Sequence, residues 1–96
     1  MSNTLNRRFC RAMFTNIKAD MRDKLGRKVV TRLMREHIDV TGSPEMGYSI
    51  HCVGYPEIGL EKDIYDHITC TCIEEARFEA CIFLMTRLFP DEEEWS

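Results

Sequence analysis

Apolar positions in the first quarter of the chain recur with the period of an α-helix. When residues 4–25 are placed about 100° apart around an axis, the apolar side chains gather on one side. They are Phe9, Cys10, Met13, Phe14, Ile17 and Met21. Gly26 interrupts this pattern and a similar one resumes over residues 27–39, so the sequence predicts two helices with a break at Gly26. A single kinked helix is the alternative.

The second half of the chain predicts a turn followed by strands. Residues 41–44, Thr-Gly-Ser-Pro, are turn formers, and residues 48–53 are mostly β-branched or aromatic and lie between two glycines, which is typical of a strand. Residues 61–70 fit either a helical or a strand period. The poor helix propensity of residues 68–71 favours a second strand there.

A last helix is expected to start just after Thr71. Thr71 and Glu74 have the spacing of a capping box, in which each side chain accepts a hydrogen bond from the other residue's backbone N–H. Pro90 ends this segment, and residues 91–96 follow as an acidic tail that contains Trp95.

These elements define the predicted fold class. We expect a small α+β domain over residues 1–90, in the order helix-helix-strand-strand-helix, with an all-α arrangement of three or four helices as the alternative. The length of 96 residues and the apolar content of 44% are those of one folded domain.

Charge divides the chain in two. Residues 1–40 hold ten Lys and Arg against four Asp and Glu, a net charge of +6, whereas residues 41–96 hold three against twelve, a net charge of −9, which gives −3 in total. The two halves neutralise each other if they fold together. A homo-oligomer that joins basic to acidic faces is a further alternative.

Most of the positive charge lies on one stripe of the first helix, about 100° wide, and just beyond its end. The residues concerned are Arg7, Arg8, Arg11, Lys18, Arg22, Arg27 and Lys28. Like charges four residues apart cost an isolated helix a few tenths of a kcal/mol per pair, so the stripe calls for an anionic partner. We expect an acidic surface of another protein, with Trp95 as an additional contact.

Nucleic acid is the alternative partner of the same stripe. It comes second because few nearby side chains suit base edges and the chain is acidic overall. No membrane partner is expected, since the longest apolar run, residues 80–85, is far shorter than the roughly 20 residues that span a bilayer.

The five cysteines are an odd number, which excludes a complete disulfide framework. We expect no apolar leader before Cys10, and reduced thiols in the cytoplasm. A zinc site made by Cys52, Cys70 and Cys72 with His51 or His67 is a second alternative function. The separation of Cys70 and Cys72 by a single residue is tighter than in most zinc knuckles, which favours buried apolar cysteines instead.

No catalytic motif is apparent. His51 and Cys52 are neighbours on a predicted strand and point to opposite faces, so the histidine cannot activate the thiol. Ser49 and His51 share a face, but no acid is evident that would orient the imidazole. We therefore expect a chain that is not an enzyme and needs no cofactor.

The predicted function is that of a small cytoplasmic binding protein acting through its basic N-terminal helix. Compact chains with an acidic tail and no catalytic motif suit an adaptor or inhibitor of a larger machine, as phages and mobile elements carry. A nucleic-acid-binding module and a zinc-binding domain are the alternatives.

Overall fold

Three helices and one antiparallel sheet make up most of the chain. The computed structural model describes residues 2–92, with side chains from Arg7 onward. The helices are α1 (Ser2–Leu25), α2 (Arg27–Arg32) and α3 (Ile73–Leu88), and the strands are β1 (Ile38–Ser43), β2 (Gly47–Cys52) and β3 (Ile64–Ile68). A π-helical turn, Leu33–His37, follows α2, and a 3₁₀ turn, Pro56–Ile58, lies between β2 and β3.

The α+β class is confirmed, with one strand more than expected. The order is helix-helix-strand-strand-strand-helix, and the sheet order is β1-β2-β3. Residues 38–43 form β1 although the sequence predicted the end of a helix and a turn there. Ile38 pairs with Cys52 of β2, and Val40 pairs with Ile50. The apolar residues of β1 therefore alternate as in a strand, but two such residues are too few to make this period evident in the sequence.

Gly42 is the reason why the sequence of this strand resembles that of a turn. It belongs to β1 with φ near 131°, and a Cβ there would overlap the carbonyl oxygen of Gly47. A glycine is needed where two backbones approach so closely. The turn itself lies at residues 44–46, where the Met46 N–H donates to Ser43 Oγ over 3.1 Å.

The break at Gly26 and the α3 boundary follow the sequence closely. Gly26 ends α1 and precedes α2 with φ 92° and ψ 153°, a conformation essentially restricted to glycine. The capping interaction of α3 is displaced by one residue, because Cys72 is the N-cap. Glu75, not Glu74, accepts from Thr71, at 3.0 Å from the backbone N and 2.8 Å from Oγ1. Glu74 is therefore available to α1.

The core lies between α1, α3 and one face of the sheet. Buried side chains come from every layer, among them Met21 and Leu33 on the N-terminal helical half, Ile50 on β2, and Leu84 on α3. Phe9 belongs to the apolar side of the predicted helix, but its side chain is 65% exposed. It lies about 100° around the helix from Cys10, at the edge of the apolar side.

The chain after α3 returns to the end of α1. Lys24 Nζ contacts Glu92 Oε1 at 3.1 Å and lies 5.4 Å from the ring centroid of Phe89. Trp95 lies outside the described residues. Within residues 2–92, no helix combines the length and the apolar character needed to cross a membrane.

Candidate binding surface

The structure divides the basic stripe of α1 into paired and open cations. Arg7 Nε lies 4.0 Å from Glu74 Oε1, and Arg11 Nη2 lies 3.7 Å from Glu74 Oε2. The Glu74 side chain is only 13% exposed, so this carboxylate neutralises part of the stripe from within the chain. Neutralisation by the acidic half, which the sequence left open, occurs at these two arginines.

The position of the stripe explains this pairing. On the helix, Lys18 and Arg7 lie next to the buried side that carries Met21, and Arg8 lies farthest from it. Cations at the near edge therefore reach groups of the packed elements. Arg8 and Arg22 are exposed, and neither forms a salt bridge with another described residue.

Lys18 lines a cavity of about 290 Å³ between α1, β1 and α3. Its Nζ lies 4.4 Å from the ring centroid of Phe14. Arg77 of α3 and Asp39 of β1 line the same cavity. Among the described side chains, neither Lys18 nor Arg77 has a carboxylate within 4.0 Å. The sequence does not reveal Arg77 as part of this site, because its place beside the same cavity as Lys18 depends on how α3 packs against α1.

A second group of cations covers one side of α2 and its π-helical turn. We call Arg27, Lys28, Arg32 and Arg35 the α2 basic face. These residues line a shallow groove of about 370 Å³ together with Thr31 and Glu36.

Only one cation of the α2 basic face has an acidic partner among the residues described. Arg32 Nε lies 3.7 Å from Glu36 Oε1, and its guanidinium lies 5.3 Å from the ring centroid of Tyr55. Sequence analysis named Arg27 and Lys28 but missed Arg32 and Arg35. The steps 28, 32 and 27, 31, 35 along one helical face were the pattern that would have revealed them.

His37 fixes the end of the π-helical turn and so orients this face. Its side chain is buried, its Nδ1–H donates to the Val53 carbonyl over 3.0 Å, and its ring stacks on Tyr55 with centroids 4.3 Å apart. His37 therefore makes a side-chain hydrogen bond at the edge of the core. Val30 and Leu33 are buried on the same side, which leaves the α2 basic face to solvent.

The structure does not bring the candidate zinc ligands together. Cys52 is fully buried beneath β2, whereas His67 lies on the outer face of the sheet opposite Ser49. Cys70 and Cys72 are buried at the start of α3. Within the described part of the chain, no group of three or more His, Cys, Asp or Glu is arranged to hold a metal ion.

All five thiols are unpaired and buried. Burial raises the pKa of Cys52 to about 11 and that of Cys81 to about 12. For Cys10, burial and the hydrogen bond with Cys72 raise the pKa to about 11. Nucleophilic and metal-binding chemistry requires the thiolate, which these environments disfavour.

The outer face of the sheet carries two separate polar pairs. His51 Nε2 donates to Asp63 Oδ2 over 2.9 Å, and the His51 ring stacks on Tyr65 with centroids 4.3 Å apart. The statement that no acid orients His51 is therefore wrong, because Asp63 does so from the loop before β3. Ser49 Oγ lies 3.2 Å from His67 Nδ1 instead, so the serine and the Asp-oriented histidine belong to different pairs.

The fold and this surface define a small α+β domain with an open cationic helix face and an exposed sheet face. Comparison of the chain with protein-family models, with curated proteins and with solved structures found no match. The function is therefore inferred from the placement of the charges.

Proposed function

We propose that this chain is a non-catalytic cytoplasmic protein that binds an acidic surface of another protein through the α2 basic face. The proposal rests on the lack of acidic partners for Arg27, Lys28 and Arg35 among the described residues. These three cations share one groove, and none of them forms a salt bridge with another described residue. Four cations with one acid between them repel each other, and an acidic partner relieves that repulsion.

The overall charge favours a protein partner over a nucleic acid. The chain carries −3 in total, and residues 41–96 carry −9, so its long-range field opposes a polyanion. A protein offers a limited acidic patch that matches the α2 basic face without exposing the rest of the chain to repulsion. Binding of this kind blocks or recruits a larger assembly, which is the role of an inhibitor or adaptor.

The five free, buried cysteines support the cytoplasmic assignment, because reducing compartments keep thiols unpaired. The exposed cations Arg8 and Arg22 add positive charge on α1, while Arg7 and Arg11 contribute less because Glu74 lies beside both of them.

The test is purification of the chain from its native cell at moderate ionic strength, with half of the sample treated with nuclease. We expect a stoichiometric protein that remains bound after nuclease treatment and is released as salt is raised. Co-purifying nucleic acid that disappears with nuclease, with no protein left, would overturn the proposal and favour the nucleic-acid alternative.

A further inference from the structure

The free edge of β1 carries unpaired backbone groups. Val53 N–H donates to the His37 carbonyl over 2.7 Å, and residues 37 and 53 continue the β1–β2 register. In an antiparallel ladder, every second residue exchanges hydrogen bonds with its partner strand. The backbone N–H and C=O groups of Asp39 and Thr41 therefore point toward β2. The N–H and C=O groups of Val40 and Gly42 therefore point away from the sheet.

No described segment pairs with that edge. β1 is the outer strand of the sheet, and its residues Asp39, Thr41 and Gly42 are exposed. The N–H of Ile38 is already used by the Leu33 carbonyl, so the available groups begin at Val40. Proteins usually cover or blunt such an edge, because it is a template for another strand.

The cavity of about 290 Å³ lies against the same edge. Ile38, Asp39 and Val40 line it consecutively, which places it along β1, and its apolar part includes Phe14 and Met34. A strand added at β1 would turn alternate side chains toward this cavity. A space of about 290 Å³ is large enough for one side chain.

The charges of the cavity select an acidic side chain. Lys18 and Arg77 outnumber Asp39, and neither cation is paired with a carboxylate in the described structure. A glutamate entering this cavity gains two opposite charges, those of Lys18 and Arg77. A lysine at the same position meets two like charges.

We propose that the free edge of β1 binds an extended acidic segment of the protein partner as a fourth strand, with a glutamate or aspartate in the Lys18–Arg77 cavity. This inference rests on the proposed function and specifies the conformation in which part of the partner binds. Backbone hydrogen bonds supply affinity in such strand addition, and the side-chain pocket supplies specificity. The edge follows the α2 basic face directly along the chain, through the π-helical turn.

The probe is a capped seven-residue peptide of alternating valine and glutamate, with valine and lysine alternating in the control peptide. Binding is followed by amide chemical shifts and by hydrogen exchange of the intact chain. We expect saturable binding of the acidic peptide with protection of the Val40 and Gly42 amides, and none with the lysine peptide. The double variant Lys18→Gln/Arg77→Gln should weaken binding at least about tenfold, or about 1.4 kcal/mol, whereas Lys62→Gln/Arg87→Gln should not.

Three results would overturn the inference: no saturable binding, equal binding of both peptides, or protection confined to the α2 basic face. Protection of both amides in the free protein that rises with its concentration would also overturn it, since a second copy would then occupy the edge. Val40→Pro removes one outward N–H and spares the β1–β2 bonds. If the natural partner still binds this variant but requires Arg27 and Arg35, the proposed function stands and the edge inference fails.

Discussion

Asp63 joins the start of β3 to the end of β2. Its Oδ2 accepts from His51 and, at 3.4 Å, from the Tyr65 hydroxyl, and its Oδ1 accepts from the Gly54 N–H over 2.7 Å. The hydrogen bond from His51 and then that from Gly54 lower the pKa of Asp63 below its ordinary value of 3.8. The folded state therefore favours the ionised carboxylate.

The pH dependence of stability follows from the direction of this shift. The contribution of Asp63 is present above the unfolded pKa and is lost as the pH falls through the lower folded value. We expect Asp63→Asn to lower the free energy of unfolding near neutral pH, and the difference from the wild type to shrink below a pH of about 4. Urea denaturation across a pH series measures it.

Asp20→Asn is the matched control, because Asp20 is exposed on α1. It should change stability little at any pH. A difference between the wild type and Asp63→Asn that stays constant down to a pH of about 2 would contradict the assigned hydrogen bonds.

Among the helices, burial separates the apolar residues of α1 into two groups. Met21 is fully buried, whereas Phe9 is 65% exposed although both belong to the apolar side predicted from the sequence. Met21→Ala should lower the free energy of unfolding by about 2–5 kcal/mol. Phe9→Ala should stay within about 0.5 kcal/mol of the wild type. Chemical denaturation of both variants checks the assignment, and equal losses would contradict it.

The break between α1 and α2 depends on Gly26. Its φ of 92° and ψ of 153° are unfavourable for any L-residue, although no atom lies within 4 Å of a Cβ built there. Gly26→Ala should therefore cost about 1–3 kcal/mol through the backbone alone. A D-alanine at the same position, introduced by chemical ligation, should be tolerated. Unchanged stability of Gly26→Ala would indicate a continuous helix.

The sequence was sufficient to predict those elements whose limits are set by a strong local preference of one or a few residues. Gly26 and Pro90 delimit helices, and the strand predicted over residues 48–53 is observed one residue earlier, as β2 (Gly47–Cys52). β1 was missed because Gly42 resembles a turn residue, and its role is visible only beside Gly47. A non-local contact of this kind leaves no local pattern.

The sequence predicted which cations form the basic stripe, but not which of them are paired with acids in the folded chain. The stripe from Arg7 to Arg22 was visible in the helical period, yet its pairing with Glu74 depends on which acid caps α3. Because Glu75 takes the capping role, Glu74 turns to the arginines. Likewise, Lys18 and Arg77 line the same cavity because of the way in which α1 and α3 pack.

At the scale of the whole molecule, folding leaves the opposite charges of the two halves only partly compensated. Glu74 covers the N-terminal part of α1, and Glu92 contacts Lys24. Among the described residues, Glu36 is the one acid that lines the groove of the α2 basic face. Positive charge is therefore concentrated on one surface of an acidic chain, which is the arrangement that directs one acidic partner to one site.

The proposed function requires that the α2 basic face bind an acidic protein. The most direct measurement compares Arg27→Glu/Arg35→Glu with the wild type in purifications from the native cell, quantifying the nuclease-resistant protein partner by mass spectrometry. Lys62→Glu/Arg87→Glu is the control, since it changes the net charge equally at exposed positions outside this face.

We predict that the α2 double variant loses the partner, with affinity reduced on the order of a hundredfold, or about 2.8 kcal/mol. The control should retain it, and both variants should keep the wild-type free energy of unfolding within about 1 kcal/mol. Undiminished recovery of the partner with Arg27→Glu/Arg35→Glu, or equal loss with both variants, would contradict the account.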